Sequence, residues 1–235
     1  MVHRVRIALI HAVAIAMQPI ADAFARDWPD ADIVNILDDS LPRDRGHAEH
    51  VPIHIYPRFA ELVAYAQGIG ATGIMFTCSA FGPAIEAAAR AAAIPVLKPN
   101  EAMFEMALTR GRRIGMLSTF APSNAPMEAE FRELVQRQGS DSTLATVTVT
   151  AARDALNSGD VEQHNHLLAD AVAALGECDA IMLAQFSASR AVRAVQARVC
   201  VPVLTAPGCA VQALRTLLAP AHLVHPHDTT KAETS

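Results

Sequence analysis

The chain has 235 residues, 51% of them hydrophobic and only 18% charged, which excludes an intrinsically disordered chain, since such chains are polar and charged. Its 19 basic and 24 acidic side chains leave a formal charge of −5, so no basic excess exists to neutralise a phosphate backbone, and nucleic acid is excluded as a partner. The cysteines Cys78, Cys178, Cys200 and Cys209 form no CxxC pair; four are too few for a disulfide scaffold and fit a reducing, cytoplasmic setting.

In chain order, short apolar runs alternate with longer helix-like segments. The N-terminal run 7–17, preceded by His3, Arg4 and Arg6, has the outline of a signal peptide. We read its first part as a core strand instead, because that strand recurs later in the chain. Strands are expected at 5–10, 32–37, 73–77, 96–97, 113–118, 144–149, 180–184 and 201–205, with helices near 19–26, 55–67, 83–93, 101–110, 126–138, 160–175, 188–198 and 210–218. Runs such as Ile74-Met75-Phe76 and Ile181-Met182-Leu183 are apolar on both faces, as parallel strands covered on both sides must be. Strand–helix alternation then implies an α/β fold with doubly wound parallel sheets. Residues 42–57 are polar and His-rich and read as a long surface loop. No run reaches the roughly 18 apolar residues of a membrane span.

The most informative pattern is a repeat. Arg6-Ile7 recurs as Arg113-Ile114, Ile74-Met75 as Ile181-Met182, and Pro95-Val96-Leu97 as Pro202-Val203-Leu204, each 107 residues later. A shared offset across three separated segments points to two pseudo-symmetric halves with a cleft between them. We place the first half at 1–99, the second at 100–208, a C-terminal helix at 209–220 packing back on the first half, and a tail at 221–235.

Ligands of open α/β sheets bind beyond the carboxyl ends of strands. There the repeat makes Cys78 equivalent to Gln185, His11 to Ser118, and Lys98 to Thr205. Cys78 lies between Thr77 and Ser79, after a strand and before a helix, where backbone N–H groups are expected to lower the thiol pKa. Cys178, Cys200 and Cys209 read as small buried hydrophobes. His47, His50 and His54 are spaced HxxHxxxH, but Pro52 interrupts them and no carboxylate accompanies them, so no metal is expected. His164 and His166 read as solvated. No glycine-rich turn opens a helix in the dinucleotide pattern, so no such cofactor is expected.

The stretches Gly73-Ile74-Met75-Phe76-Thr77-Cys78-Ser79, Ile94-Pro95-Val96-Leu97, 111–119 and Cys178-Asp179-Ala180-Ile181-Met182-Leu183 together resemble the aspartate/glutamate/hydantoin racemase superfamily, which includes maleate isomerases and arylmalonate decarboxylase. The resemblance implies a cofactor-independent site between two α/β halves, with a thiol from each. This chain departs at one place: where the family carries Leu-Gly-Cys, it has Leu183-Ala184-Gln185, and an amide is not a proton base. The resemblance implies an isomerase using the Cys78 thiol for proton transfer beside a carboxylate of a small amino-acid-like or dicarboxylate substrate. A single-thiol decarboxylase of a malonate-like substrate and a non-catalytic binder are the alternatives. His11 is the candidate second base. Thr77, Ser79, Ser118, Thr119, Phe186 and Ser187 are the candidate substrate-binding residues. The remaining expectations are a homo-oligomer with no cofactor, no metal and no membrane partner.

Overall fold

The computed structural model describes residues 4–46 and 50–219. Its strands are β1 (Arg6–His11), β2 (Asp32–Leu37), β3 (Gly73–Phe76), β4 (Val96–Leu97), β5 (Arg113–Ser118), β6 (Thr143–Thr148), β7 (Ala180–Leu183) and β8 (Val203–Thr205). The helices are α1 (Met17–Asp27), α2 (Leu41–Arg45), α3 (Tyr56–Gly68), α4 (Gly82–Ala91), α5 (Glu101–Leu108), α6 (Asn124–Arg137), α7 (Thr150–Asn157), α8 (Val161–Asp170), α9 (Val192–Gln196) and α10 (Ala206–Leu218).

The strands form two four-stranded parallel sheets with one topology, β2-β1-β3-β4 and β6-β5-β7-β8. Their registers repeat as well: Ile7 pairs with Gly73 in the first half, and Ile114 with Ala180 in the second. The central strands β1, β3, β5 and β7 are buried almost throughout, whereas β2 and β6 alternate toward solvent as edge strands do. Alternation along the central strands divides the core. Ile7, Leu9 and Met75 join Ile114, Met116 and Met182 in a cluster shared by both halves and filled by Phe24, Phe104, Phe131 and Val211. The intervening Ala8, Ile10, Ile74 and Phe76 face an outer core under α3 and α4. Leu117, Ile181 and Leu183 do the same in the second half. Both faces of each sheet are therefore covered, which makes the fold the α/β arrangement with two doubly wound halves.

The helix α10 packs against α1 and α5. It starts earlier than the expected 209, because Thr205 caps it by accepting a hydrogen bond from the Gly208 N–H. Residues 221–235 and His47 lie outside the described residues. Two short helices, α2 and α7, lie outside the expected set. The five-residue α2 buries a single side chain, Leu41, too little for apolar periodicity to mark a helix; α7 does carry a stripe, with Ala152 buried and Ala155 and Leu156 half-buried, but it spans only eight residues. No described helix is long and apolar enough to cross a membrane.

Candidate functional site

The carboxyl ends of the two sheets meet: the turn after β1, together with α1, touches the segment 186–191 that follows β7. Cys78 leaves the end of β3 in extended conformation, φ −122° and ψ 118°, just before a 3₁₀ turn at Ser79–Phe81 and then α4. Gln185 leaves β7 in the same way, φ −103° and ψ 151°, before a turn at Phe186–Ala191. The two positions are thus equivalent in backbone as well as in sequence offset.

Their side chains differ in state. Cys78 is half-buried and packs against the outer apolar core of the first half. Burial pushes its thiol up, against the weaker pull of the Ala80 N–H and of Arg45. This corrects the expectation of a depressed pKa: desolvation of the charged form outweighs the N–H groups of a single 3₁₀ turn. Cys78 is therefore a protonated thiol near neutral pH. The other cysteines also differ from expectation in part. Cys209 is buried and pushed up to about 11, Cys178 is half-buried, and Cys200 is exposed rather than buried.

Gln185 is held on all sides. Its Oε1 accepts from the Thr119 N–H at 2.8 Å and the Thr119 hydroxyl at 3.1 Å, and its Nε2 donates to Ser118 Oγ at 3.2 Å and Ser123 Oγ at 2.9 Å. Ser118 and Thr119, expected to bind substrate, are 0% and 2% exposed. They frame the Gln185 amide instead of facing a ligand. At the equivalent positions of the first half stand Ala12 and Ala16 in place of Thr119 and Ser123, so nothing of this kind ties down Cys78.

The structure also reassigns His11 and Thr77. His11 is fully buried, with Nδ1 2.9 Å from Thr77 Oγ1 and Nε2 2.9 Å from Asn35 Oδ1. With Nε2–H donating to the Asn35 carbonyl oxygen, Nδ1 accepts from the Thr77 hydroxyl, and burial lowers the pKa of the ring. A neutral imidazole with both nitrogens engaged is a strut between β1, β2 and β3, not a second base, and Thr77 serves it rather than a substrate. Phe186 belongs to the shared core. Ser79 is exposed and Ser187 half-buried, which leaves these two hydroxyls as the candidates still open to a ligand. His164 is buried, not solvated, and its Nδ1–H donates to the Ala152 carbonyl at 2.8 Å.

Replacing His11 by alanine is expected to cost stability, about 2–5 kcal/mol as for other large-to-small core changes, without altering the chemistry at Cys78. The pH dependence checks this assignment. A folded pKa below the ordinary 6.5 means stability is full above pH 6.5 and is lost as pH falls through the lowered value, because the unfolded chain binds the proton first. Thermal denaturation at pH 7.5 and 5.5 should show a smaller acid loss in His11→Ala than in the wild type.

Asn35, Ser123 and Arg45 carry no signal in the sequence; Arg45 ends the short helix α2, and its charge acts on Cys78. A cavity of about 370 Å³ lies elsewhere, at the β4 edge of the first sheet, lined by Glu86, Lys98, Glu101, Glu130 and Arg137 among others. There Lys98 bridges Glu86 of α4 at 2.7 Å and Glu130 of α6 at 3.3 Å, which makes it a tie between the halves. Among the described residues no three His, Cys, Asp or Glu side chains group as metal ligands.

With this geometry in place, the chain can be compared with known proteins. No curated protein sequence matches it. Solved structures that match over most of the chain include the allantoin racemase from Klebsiella pneumoniae, with 21% identity, 92% of this chain and 88% of that chain covered, and a TM-score of 0.66. A glycine-to-cysteine variant of arylmalonate decarboxylase in its sulfate-associated form matches with 19% identity, coverage of 92% and 94%, and a TM-score of 0.67. A glutamate racemase isoform from Bacillus anthracis matches with 14% identity, coverage of 92% and 82%, and a TM-score of 0.68. These likenesses show the fold. The sequence model of the Asp/Glu/Hydantoin racemase family matches residues 50–177, more than half of the chain, and so the chain belongs to the Asp/Glu/hydantoin racemase family.

Proposed function

We propose that the chain is a cofactor-independent enzyme that transfers a proton from a single face, through the Cys78 thiol, to the carbon next to a carboxylate of a small substrate. One observation carries this reading. Of the two equivalent strand-end positions, one holds a protonated thiol and the other an amide bonded to Ser118, Thr119 and Ser123. Racemisation by opposed thiols needs a base on one face and an acid on the other, and Gln185 supplies neither. The geometry therefore favours the single-thiol alternative over the two-base isomerase.

In such a reaction a malonate-like substrate loses CO₂ by heterolysis of a C–C bond, and the electron pair remains as an enediolate on the surviving carboxylate. The Cys78 S–H then gives its proton to the carbon, and the thiolate regains a proton from water. A thiol with a raised pKa suits this role, because it carries its proton at neutral pH. Arylmalonate decarboxylase is among the proteins that share the fold.

Incubation in D₂O with α-substituted malonate, maleate, hydantoin and amino-acid substrates tests the proposal. CO₂ release with one deuterium placed at the α-carbon in one configuration is the expected result. Deuterium entering both enantiomers of an amino acid or hydantoin at equal rates would overturn it.

A further inference from the structure

We propose that the two halves pivot at one of the two junctions between them, and that Lys98 restrains the motion at the other. The chain crosses between the halves twice, from β4 into α5 at 98–101 and from β8 into α10 at 205–208. The crossings are equivalent at the 107-residue offset, but their residues differ in kind. Lys98, Glu101, Glu86 and Glu130 at the first have Thr205, Gly208, Arg193 and Ala23 as counterparts at the second. Three charged groups on one side thus give way to small residues on the other.

Side-chain size decides how closely each junction packs. At 205–208, Ala206 and Gly208 are buried, and Ala23 of α1 is 2% exposed. A Cβ on Gly208 would stand 2.9 Å from Thr205 Oγ1 and 3.5 Å from the Arg26 guanidinium, so α10 lies close against both its own cap and α1. Arg215 of α10 also donates to the Asp27 carbonyl at the end of α1, at 2.9 Å. The seam between α4, α5 and α6 at 98–101 holds instead the cavity of about 370 Å³. One ammonium gathers its walls: Lys98 Nζ stands 2.7 Å from Glu86, 3.3 Å from Glu130 and 3.8 Å from Glu101. A closely packed seam resists separation because any displacement forfeits contacts along it. A seam around a cavity has fewer contacts to lose and depends on its charges. Without the ammonium three carboxylates would face one another and repel. Hinges lie at such ends of elements. Because α4 follows the turn after Cys78, and α6 follows Ser123, which is bonded to Gln185, a swing at this seam moves the two strand ends relative to each other, whatever reaction Cys78 serves.

Distances between paired nitroxides, read by double electron–electron resonance, test this without any turnover. Labels attached through p-acetylphenylalanine leave the native cysteines untouched. One pair replaces the exposed Arg90 of α4 and Arg132 of α6 and spans the Lys98 seam. The other replaces their counterparts, the exposed Ala197 after α9 and Ala25 of α1, and spans the pivot. With Lys98 in place, the Arg90/Arg132 pair should already give the broader distribution. Lys98→Met should lengthen that distance by several ångströms and leave the Ala25/Ala197 distance unchanged. Glu130→Gln keeps the Lys98–Glu86 pair and adds no repulsion, so it should lengthen the first distance by less. Equal widths for the two pairs with Lys98 present would overturn the proposal, and that comparison does not depend on whether Lys98→Met folds. Equal lengthening of both pairs in a folded variant, or no lengthening of the first in either variant, would overturn it as well.

Discussion

Cys78→Ser is expected to lower the rate of deuterium incorporation by about 10²–10⁴-fold, the usual contribution of a placed general acid. The hydroxyl is a far weaker acid than the thiol, and neither of the two other candidates takes over. His11, the nearest alternative by sequence, is buried with both ring nitrogens bonded, and Gln185 does not ionise. The substitution removes little volume, so the melting temperature should move much less than the rate. The measurement is single-turnover incorporation by mass spectrometry beside a thermal melt. A Cys78→Ser protein that retains most of the wild-type rate would remove the thiol from the mechanism.

The second large effect is expected from Gln185→Cys, in two opposite directions. Loss of the amide removes hydrogen bonds to the Thr119 N–H and hydroxyl, Ser118 and Ser123. The Thr119 N–H then becomes a buried donor without a partner, which costs about 1–3 kcal/mol; a chain of this size should melt several degrees lower, at about 2–4 °C per kcal/mol. The same change places a thiol at the position equivalent to Cys78. Exchange at the α-carbon should then proceed with inversion, where retention of one configuration is expected of the wild type. Chiral chromatography of a deuterated amino-acid or hydantoin substrate reads this directly. Wild-type protein that already racemises efficiently would contradict the one-face account, and an unchanged melting temperature would show that the Gln185 bonds do not stabilise the fold.

The part of the site legible in the sequence was the part that depends on strand ends. Cys78 and Gln185 could be paired from a constant offset because both follow short central strands whose lengths are set by their apolar runs. The partners of Gln185 were misjudged for a related reason. Ser118 and Thr119 were recognised as strand-end hydroxyls, but whether a hydroxyl faces a ligand or a neighbouring amide depends on where another segment's side chain ends, here one 66 or 67 residues away. Arg45 was missed because α2 is five residues long and one buried leucine makes no pattern.

Apolar runs and their 107-residue recurrence determined, from the sequence alone, the α/β class, the two halves, the strand order of events along the chain, and the place of the thiol at a strand's end. These are local properties: hydrophobic periodicity and strand length act over a few residues, and repetition carries them from one half to the other. Tertiary structure alone decided the protonation of Cys78, the engagement of Gln185 and the burial of His11. Each of these depends on what distant segments place around a group, since the cost of removing a charge from water and the partners available to a buried donor are fixed only when the chain has closed around them.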